Sequence, residues 1–285
     1  MIKFDRKFLL QTVITFLSKG SRGKSSELDL VEVVRAIFHR LKTGCQWREL
    51  PIKQYISRPD TTWEAIYYHY NKWCKDNSWY RVWLNATTVY QQYLDLSCVA
   101  LDGSHTRAYR GGQCVSYNGR KAANTTNMLY IIDNQGVILF CSQPISGEHH
   151  DLFNIKEHFG QIEQMAQDMN IDLNGLFLNA DGGFDSFEFR QLLDGKYIQA
   201  NIAINKRNTK LAEVKDYYFD ETLYAKRKLA EHPFAWMDGF KAMLVRYEKL
   251  AVTWFSMNIM TMFHIFMKLY GKYFCCICCD SSEFP

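Results

Sequence analysis

Ser97-Cys98-Val99-Ala100-Leu101-Asp102-Gly103 and Leu176-Phe177-Leu178-Asn179-Ala180-Asp181-Gly182-Gly183 each run an apolar, strand-like stretch straight into an Asp-Gly pair. Asp-Gly is also a common hairpin turn, so one instance alone would carry little. Two instances, each at the end of a buried strand, put two carboxylates where they can hold a divalent cation against a phosphate. A third acid, Glu231, follows on a helical segment rich in Arg and Lys. The constellation points to phosphodiester chemistry on a nucleic acid.

The charge distribution agrees. Net charge is only +4, but residues 103–132 contain no acid and carry Arg107, Arg110, Arg120 and Lys121. Residues 195–212 are likewise acid-free and hold Lys196, Lys206, Arg207 and Lys210. Such stretches beside the acid-bearing strands would form a phosphate-binding rim. An apolar share of 47% over 285 residues is enough to fill a core, which excludes a disordered chain. Nine cysteines, an odd number at irregular spacing, exclude a secreted disulfide framework and fit reduced thiols in a cytoplasm. Four of them, Cys275, Cys276, Cys278 and Cys279, crowd a tail that lacks two well-separated ligand pairs for zinc. The first residues mimic a signal peptide weakly: Lys3, Arg6 and Lys7 precede Phe8-Leu9-Leu10, but Gln11 and Thr12 interrupt and no small-residue cleavage site follows. The apolar run 250–267 contains Asn258 and His264 and reads as a buried helix, so a soluble, cytoplasmic chain with no membrane partner is expected.

Residues up to about 94 read as helices. Leu30, Val34, Ile37, Phe38 and Leu41 recur at helical spacing before a Gly44 C-cap. Thr61 and Glu64 suggest a capping box opening a helix with Trp63, Ile66, Tyr67, Tyr70 and Trp73 on its core side. A third helix is expected from Trp79 to about Leu94, and Arg35, Arg40, Lys42 and Arg48 are candidates for touching DNA. Strands are predicted at 98–101, 128–132, 137–141, 176–179 and 198–204, with Asp133-Asn134-Gln135-Gly136 as a hairpin turn and helices at 152–169 and 186–193. Residues 220–270 return to helix. A three-strand meander followed by helix, strand, helix, strand is the order of an α/β ribonuclease-H-like core. The expected domains are a helical 1–95, a catalytic 96–274 and a Cys-rich tail 275–285.

Several motifs carry a family resemblance. Leu101-Asp102-Gly103-Ser104-His105-Thr106-Arg107-Ala108, Asn118-Gly119-Arg120-Lys121 and Asn179-Ala180-Asp181-Gly182-Gly183-Phe184-Asp185-Ser186 resemble bacterial insertion-sequence transposases of the DDE superfamily, type-five group. Leu41-Lys42-Thr43-Gly44-Cys45-Gln46-Trp47-Arg48-Glu49-Leu50-Pro51 is similar to that group's N-terminal domain, and Arg227-Lys228-Leu229-Ala230-Glu231-His232-Pro233-Phe234-Ala235-Trp236 to the segment bearing its third acid. The resemblance spans roughly residues 27–255.

It implies a DDE triad of Asp102, Asp181 and Glu231 binding two Mg²⁺ ions, with Mn²⁺ as a substitute. It also implies a Tyr-Arg-Glu-Lys signature, matched by Tyr224, Arg227 and Glu231 on one helix face, while Asp238 stands at the Lys position and Lys241 follows one turn later. Pro233 should kink or restart that helix. Arg107, Arg120, Lys121, Lys206, Arg207, Tyr224, Arg227 and Lys241 are the expected DNA contacts, to phosphates rather than bases. His105 and the His149-His150-Asp151 run either line the site or bond their neighbours. The implied activity is cleavage of double-stranded DNA at the element's terminal repeats and joining to target DNA, by a homodimer or larger synaptic assembly in the bacterial cytosol at the nucleoid. A nuclease that only hydrolyses, or an inactive DNA-binding derivative, are the other readings of these residues.

Overall fold

Asp5 accepts the Phe8 N–H and opens the first helix, α1 (Arg6–Thr12). The structure, a computed structural model, describes residues 4–20, 27–205 and 217–271. The chain divides into two units, Met1–Tyr90 with Met237–Pro285, and Gln91–Trp236.

In the first unit Asp29 caps α2 (Leu30–Thr43) through the Val31 N–H, and Gly44, at φ 67, ends it by donating to the Arg40 carbonyl. The expected C-cap is therefore real: the left-handed turn needs a residue without a Cβ. A short helix α3 (Ile52–Tyr55) leads to α4 (Trp63–Lys75). The capping box does not form. Thr62, not Thr61, is the N-cap and gives no side-chain hydrogen bond, and the helix is held by its buried Ile66, Tyr70 and Trp73 face. α5 (Ser78–Val89) stops five residues short of Leu94, where a 3₁₀ turn, Gln91–Tyr93, takes over.

Arg40 is no DNA contact. It is buried, pairs with Glu248 at 2.9 Å and lies over the Trp47 ring. Lys42 donates to the Gly239 carbonyl and Arg35 to that of Phe4, which leaves Arg48 as the exposed member of that basic set.

The second unit is a mixed sheet built from β1 (Val99–Ala108), β2 (Ser116–Asn118), β3 (Ala123–Ile132), β4 (Ile138–Cys141), β5 (Ile145–Ser146), β6 (Phe177–Ala180) and β7 (Gln199–Ile202). β3 lies antiparallel to β1, β6 parallel to β1, and β7 parallel to β6. The far edge of β3 is shared in turn by β2, β5 and β4. Helices α6 (Ile155–Asp168) and α7 (Phe187–Asp194) make the connections to the parallel strands. The order β4-β3-β1-β6-β7, three antiparallel strands and then two parallel ones, is that of a ribonuclease-H-like core. The β3–β4 turn is as expected, with the Asp133 carboxylate accepting the Gln135 and Val137 N–H groups and Gly136 at φ 82. β2 and β5 are too short and polar to have been read from the sequence. After β7 come α8 (Glu221–Ala225), a 3₁₀ segment, Lys226–Ala230, and α9 (Glu231–Asp238).

The chain then returns to the first unit with α10 (Lys241–Leu244) and α11 (Ala251–Tyr270). α11 packs on α4 and α5 and is buried along almost its whole length, with Trp83 and Phe266 edge to face at 5.2 Å. The boundaries thus differ from those expected, because this apolar helix completes the N-terminal helical core. Among the described residues no helix is long and apolar enough to cross a membrane. The Cys-rich tail lies outside the described residues, and Cys45, Cys74, Cys98 and Cys141 are free thiols.

Candidate active site

β1 and β6 run parallel with Val99 beside Leu178, Ala100 beside Asn179 and Leu101 beside Ala180. One residue further along, the two strands deliver Asp102 and Asp181 side by side. β1 does not end there, as its sequence suggested, but continues to Ala108 paired with β3. The reason is burial. Past Leu101 the strand leaves β6 and is only half buried, so Gly103-Ser104-His105-Thr106-Arg107 shows no apolar pattern although its backbone ladder persists.

Asp102 accepts the Gly103 N–H at 2.9 Å and faces the Arg227 guanidinium at 3.5 Å. Burial still pushes its carboxyl up to about 6, with the charges of Asp181 and Asp151 acting the same way and Arg227 and the Gly103 N–H opposing. Asp181 caps the 3₁₀ turn Gly182–Phe184, its side chain accepting the Gly183 N–H at 2.8 Å. A nearby acid, Asp185, is taken up by Arg190 at 2.9 Å and is structural.

The segment carrying Arg227 is fixed by a buried amide pair. Asn201 donates to Asn179 Oδ1 at 2.8 Å, Asn179 donates to the Leu223 carbonyl, and Asn201 holds both the carbonyl and the N–H of Asp220. Asp220 in turn caps α8 through the Leu223 N–H. Two asparagines on adjacent strands therefore bolt the start of α8 to β6 and β7. Sequence reading passed over both, since a lone Asn in an apolar strand carries no pattern.

Tyr224, Arg227 and Glu231 do not share one continuous α-helical face. α8 ends at Ala225, the chain tightens to 3₁₀ geometry, and α9 restarts at Glu231. Pro233 falls in the first turn of α9, where its missing N–H needs no partner. Phe234 packs edge to face on Tyr130, the register neighbour of Asp102, at 5.5 Å. Arg227 stays near the Tyr224 ring, while Glu231, the first residue of α9, is exposed.

Arg107 is the penultimate residue of β1, and Arg120 and Lys121 occupy the β2–β3 turn, all three exposed. His105 bonds Thr125, and burial holds its imidazole low, helped by the Lys121 and Arg120 charges and opposed by Asp151. Lys206 and Arg207 lie outside the described residues, and Lys241 opens α10 in the helical unit.

Asp151 was left ambiguous by the sequence, in a run whose His149 stacks on Phe153 and whose His150 accepts a backbone N–H. Its carboxylate lies against Gly103 and accepts from Asn127 at 2.6 Å. Among the described residues no three His, Cys, Asp or Glu groups converge tightly enough to enclose a metal ion. The donor set nonetheless fits a hard divalent cation, because two like-charged, partly buried carboxylates stand together with one Arg between them and neutrality.

A family model described as "DDE superfamily endonuclease" matches residues 101–269, more than half of the chain. The chain belongs to this family. A second model, "Putative transposase of IS4/5 family", matches residues 9–83, the helical segment, in line with the insertion-sequence resemblance. No curated protein matches the chain significantly. Among solved structures, the piggyBac transposase synaptic complex with hairpin DNA is similar at 9% identity and a TM-score of 0.43, covering 92% of this chain and 73% of that one. The Mos1 transposase paired-end complex gives 9% and 0.28, covering 79% and 83%, and a pre-cleavage Mos1 transpososome 8% and 0.27, covering 88% and 82%.

Proposed function

We propose that this DDE-family chain is a transposase that cuts DNA at the ends of its insertion sequence and joins those ends to target DNA. The reading rests on one observation above all, the arrival of Asp102 and Asp181 side by side one residue beyond the Leu101–Ala180 pair. In this reading Asp102, Asp181 and Glu231 hold two Mg²⁺ ions, for which Mn²⁺ substitutes. Bound there, the cations supply Lewis-acid activation of the attacking oxygen and stabilise the leaving one. Arg227 offsets the buried Asp102 charge and takes a phosphate oxygen when DNA is bound, with Tyr224 beside it. Arg107, Arg120, Lys121, Lys206, Arg207 and Lys241 hold the backbone in register without reading sequence. Two or more copies assemble on paired ends, in the bacterial cytosol at the nucleoid.

The test is to incubate the chain with a duplex ending in the element's terminal repeat, a target plasmid and Mg²⁺. Cleaved ends and joined products are expected. Cleavage without joining would mean a nuclease that only hydrolyses, and tight DNA binding with neither product would mean an inactive binding protein.

A further inference from the structure

The φ of Gly103 lies outside the left-handed region, so the backbone does not demand glycine there. Space does. A Cβ at position 103 would stand 2.3 Å from Asp151 Oδ1 and 2.7 Å from its carboxyl carbon. Position 103 is kept bare for a carboxylate arriving from the segment between β5 and α6. Asn127, fully buried in β3 and in register with His105, donates Nδ2 to Asp151 at 2.6 Å. Its own Oδ1 is buried with no hydrogen-bond partner. A buried acceptor left unpaired lowers stability, and its retention calls for an explanation.

We propose that Asp151 is a further carboxylate of the cation site, a positioning residue held by Asn127 over Gly103. Its charge adds to those of Asp102 and Asp181, and its carboxylate accepts hydrogen bonds from the hydration shell of the bound cation, while the buried Asn127 holds it in place. The inference rests on the reading that a divalent cation binds Asp102 and Asp181. Mg²⁺ keeps several of its waters when protein-bound, and their hydrogens need acceptors. Outer partners of this kind tune metal affinity without touching the ion. The same role accounts for the glycine after Asp102, since any side chain there would drive Asp151 away.

The test is calorimetric titration of Mg²⁺, and separately Mn²⁺, into the full chain without DNA, paired with the unfolding midpoint in EDTA. The wild type should bind. Asp151→Asn and Gly103→Ala should each bind ~10-fold more weakly or worse, with the EDTA midpoint little changed. Gly103→Ala keeps every acid and only displaces Asp151, so it decides the matter if Asp151→Asn fails to fold. Wild-type affinity in either folded variant overturns the proposal. So does a lowered EDTA midpoint with unchanged affinity, the signature of a purely structural tether. A wild type that binds neither cation would instead bring down the metal-site reading itself.

Discussion

The Asp102 carboxyl is pushed up to about 6 because burial outweighs the Arg227 guanidinium beside it. A folded-state value above the ordinary 3.8 means that the folded protein binds this proton more tightly than the unfolded chain. The associated stability is complete below pH ~4 and is lost as pH rises through about 6. Without metal at pH 7.5, Asp102→Asn should therefore stabilise the chain, by up to ~3 kcal/mol, and the gain should vanish at pH 4. Urea unfolding at both pH values checks this, and subtracting the wild-type profile removes Asp133, which titrates in the same range. Protons and cations compete for Asp102, so Mg²⁺ binding should weaken as pH falls through 6. For the third acid, Glu231→Gln should abolish cleavage and Glu221→Gln should not, since Glu221 sits in the first turn of α8 where an acid merely suits the helix dipole. Glu248→Gln should act differently from both. It strands the buried Arg40 and should lower unfolding stability by about 3 kcal/mol while leaving the acids of the site in place.

The Asn179–Asn201 pair belongs to the scale of elements, because it fixes where α8 and the following 3₁₀ segment begin. Asn201→Ala should leave Asn179 Oδ1 and the Asp220 N–H short of partners, lower stability by roughly 1–3 kcal/mol, and loosen Arg227. Cleavage should fall more than DNA binding does, and equal losses in rate and affinity would contradict that role. The same elements mark how far the sequence could be read. The apolar starts of β1 and β6, the turn at Asp133 and the α2 C-cap at Gly44 were legible, since burial and left-handed turns leave strong residue preferences. The second half of β1 was not, because a half-buried strand loses its alternation. The capping box failed because Thr61-Thr62 offers two candidate caps and packing chose the second. The 3₁₀ stretch was illegible because its residues suit an α-helix equally well. Glu248 carries no sequence signal of its buried pairing because its partner Arg40 lies far away in sequence. Asp151 escaped for a similar reason, its partner Gly103 having no side chain to signal the contact.

At the scale of the whole molecule, the net charge of +4 understates the cationic surface, because acids are absent from residues 103–132. Neutralising Arg120 and Lys121 together should weaken binding to any duplex alike and flatten the salt dependence by up to ~2 units of slope. Titration across 50–300 mM salt, a range set by ~10-fold changes in affinity, reads that slope, and an unchanged value would remove the β2–β3 turn from the DNA surface. Lys206 and Arg207, in the second acid-free stretch, should behave the same way if that stretch also lies along DNA. The chemistry is placed by the two neighbouring strands that carry the chain to Asp102 and Asp181, and the direct test is there. Asp102→Asn and Asp181→Asn should each fold, bind terminal-repeat DNA with wild-type affinity in EDTA, and show no cleavage of it in Mg²⁺ or Mn²⁺. Cleavage by either variant at a rate near that of the wild type would contradict the assignment of this carboxylate pair as the phosphodiester site.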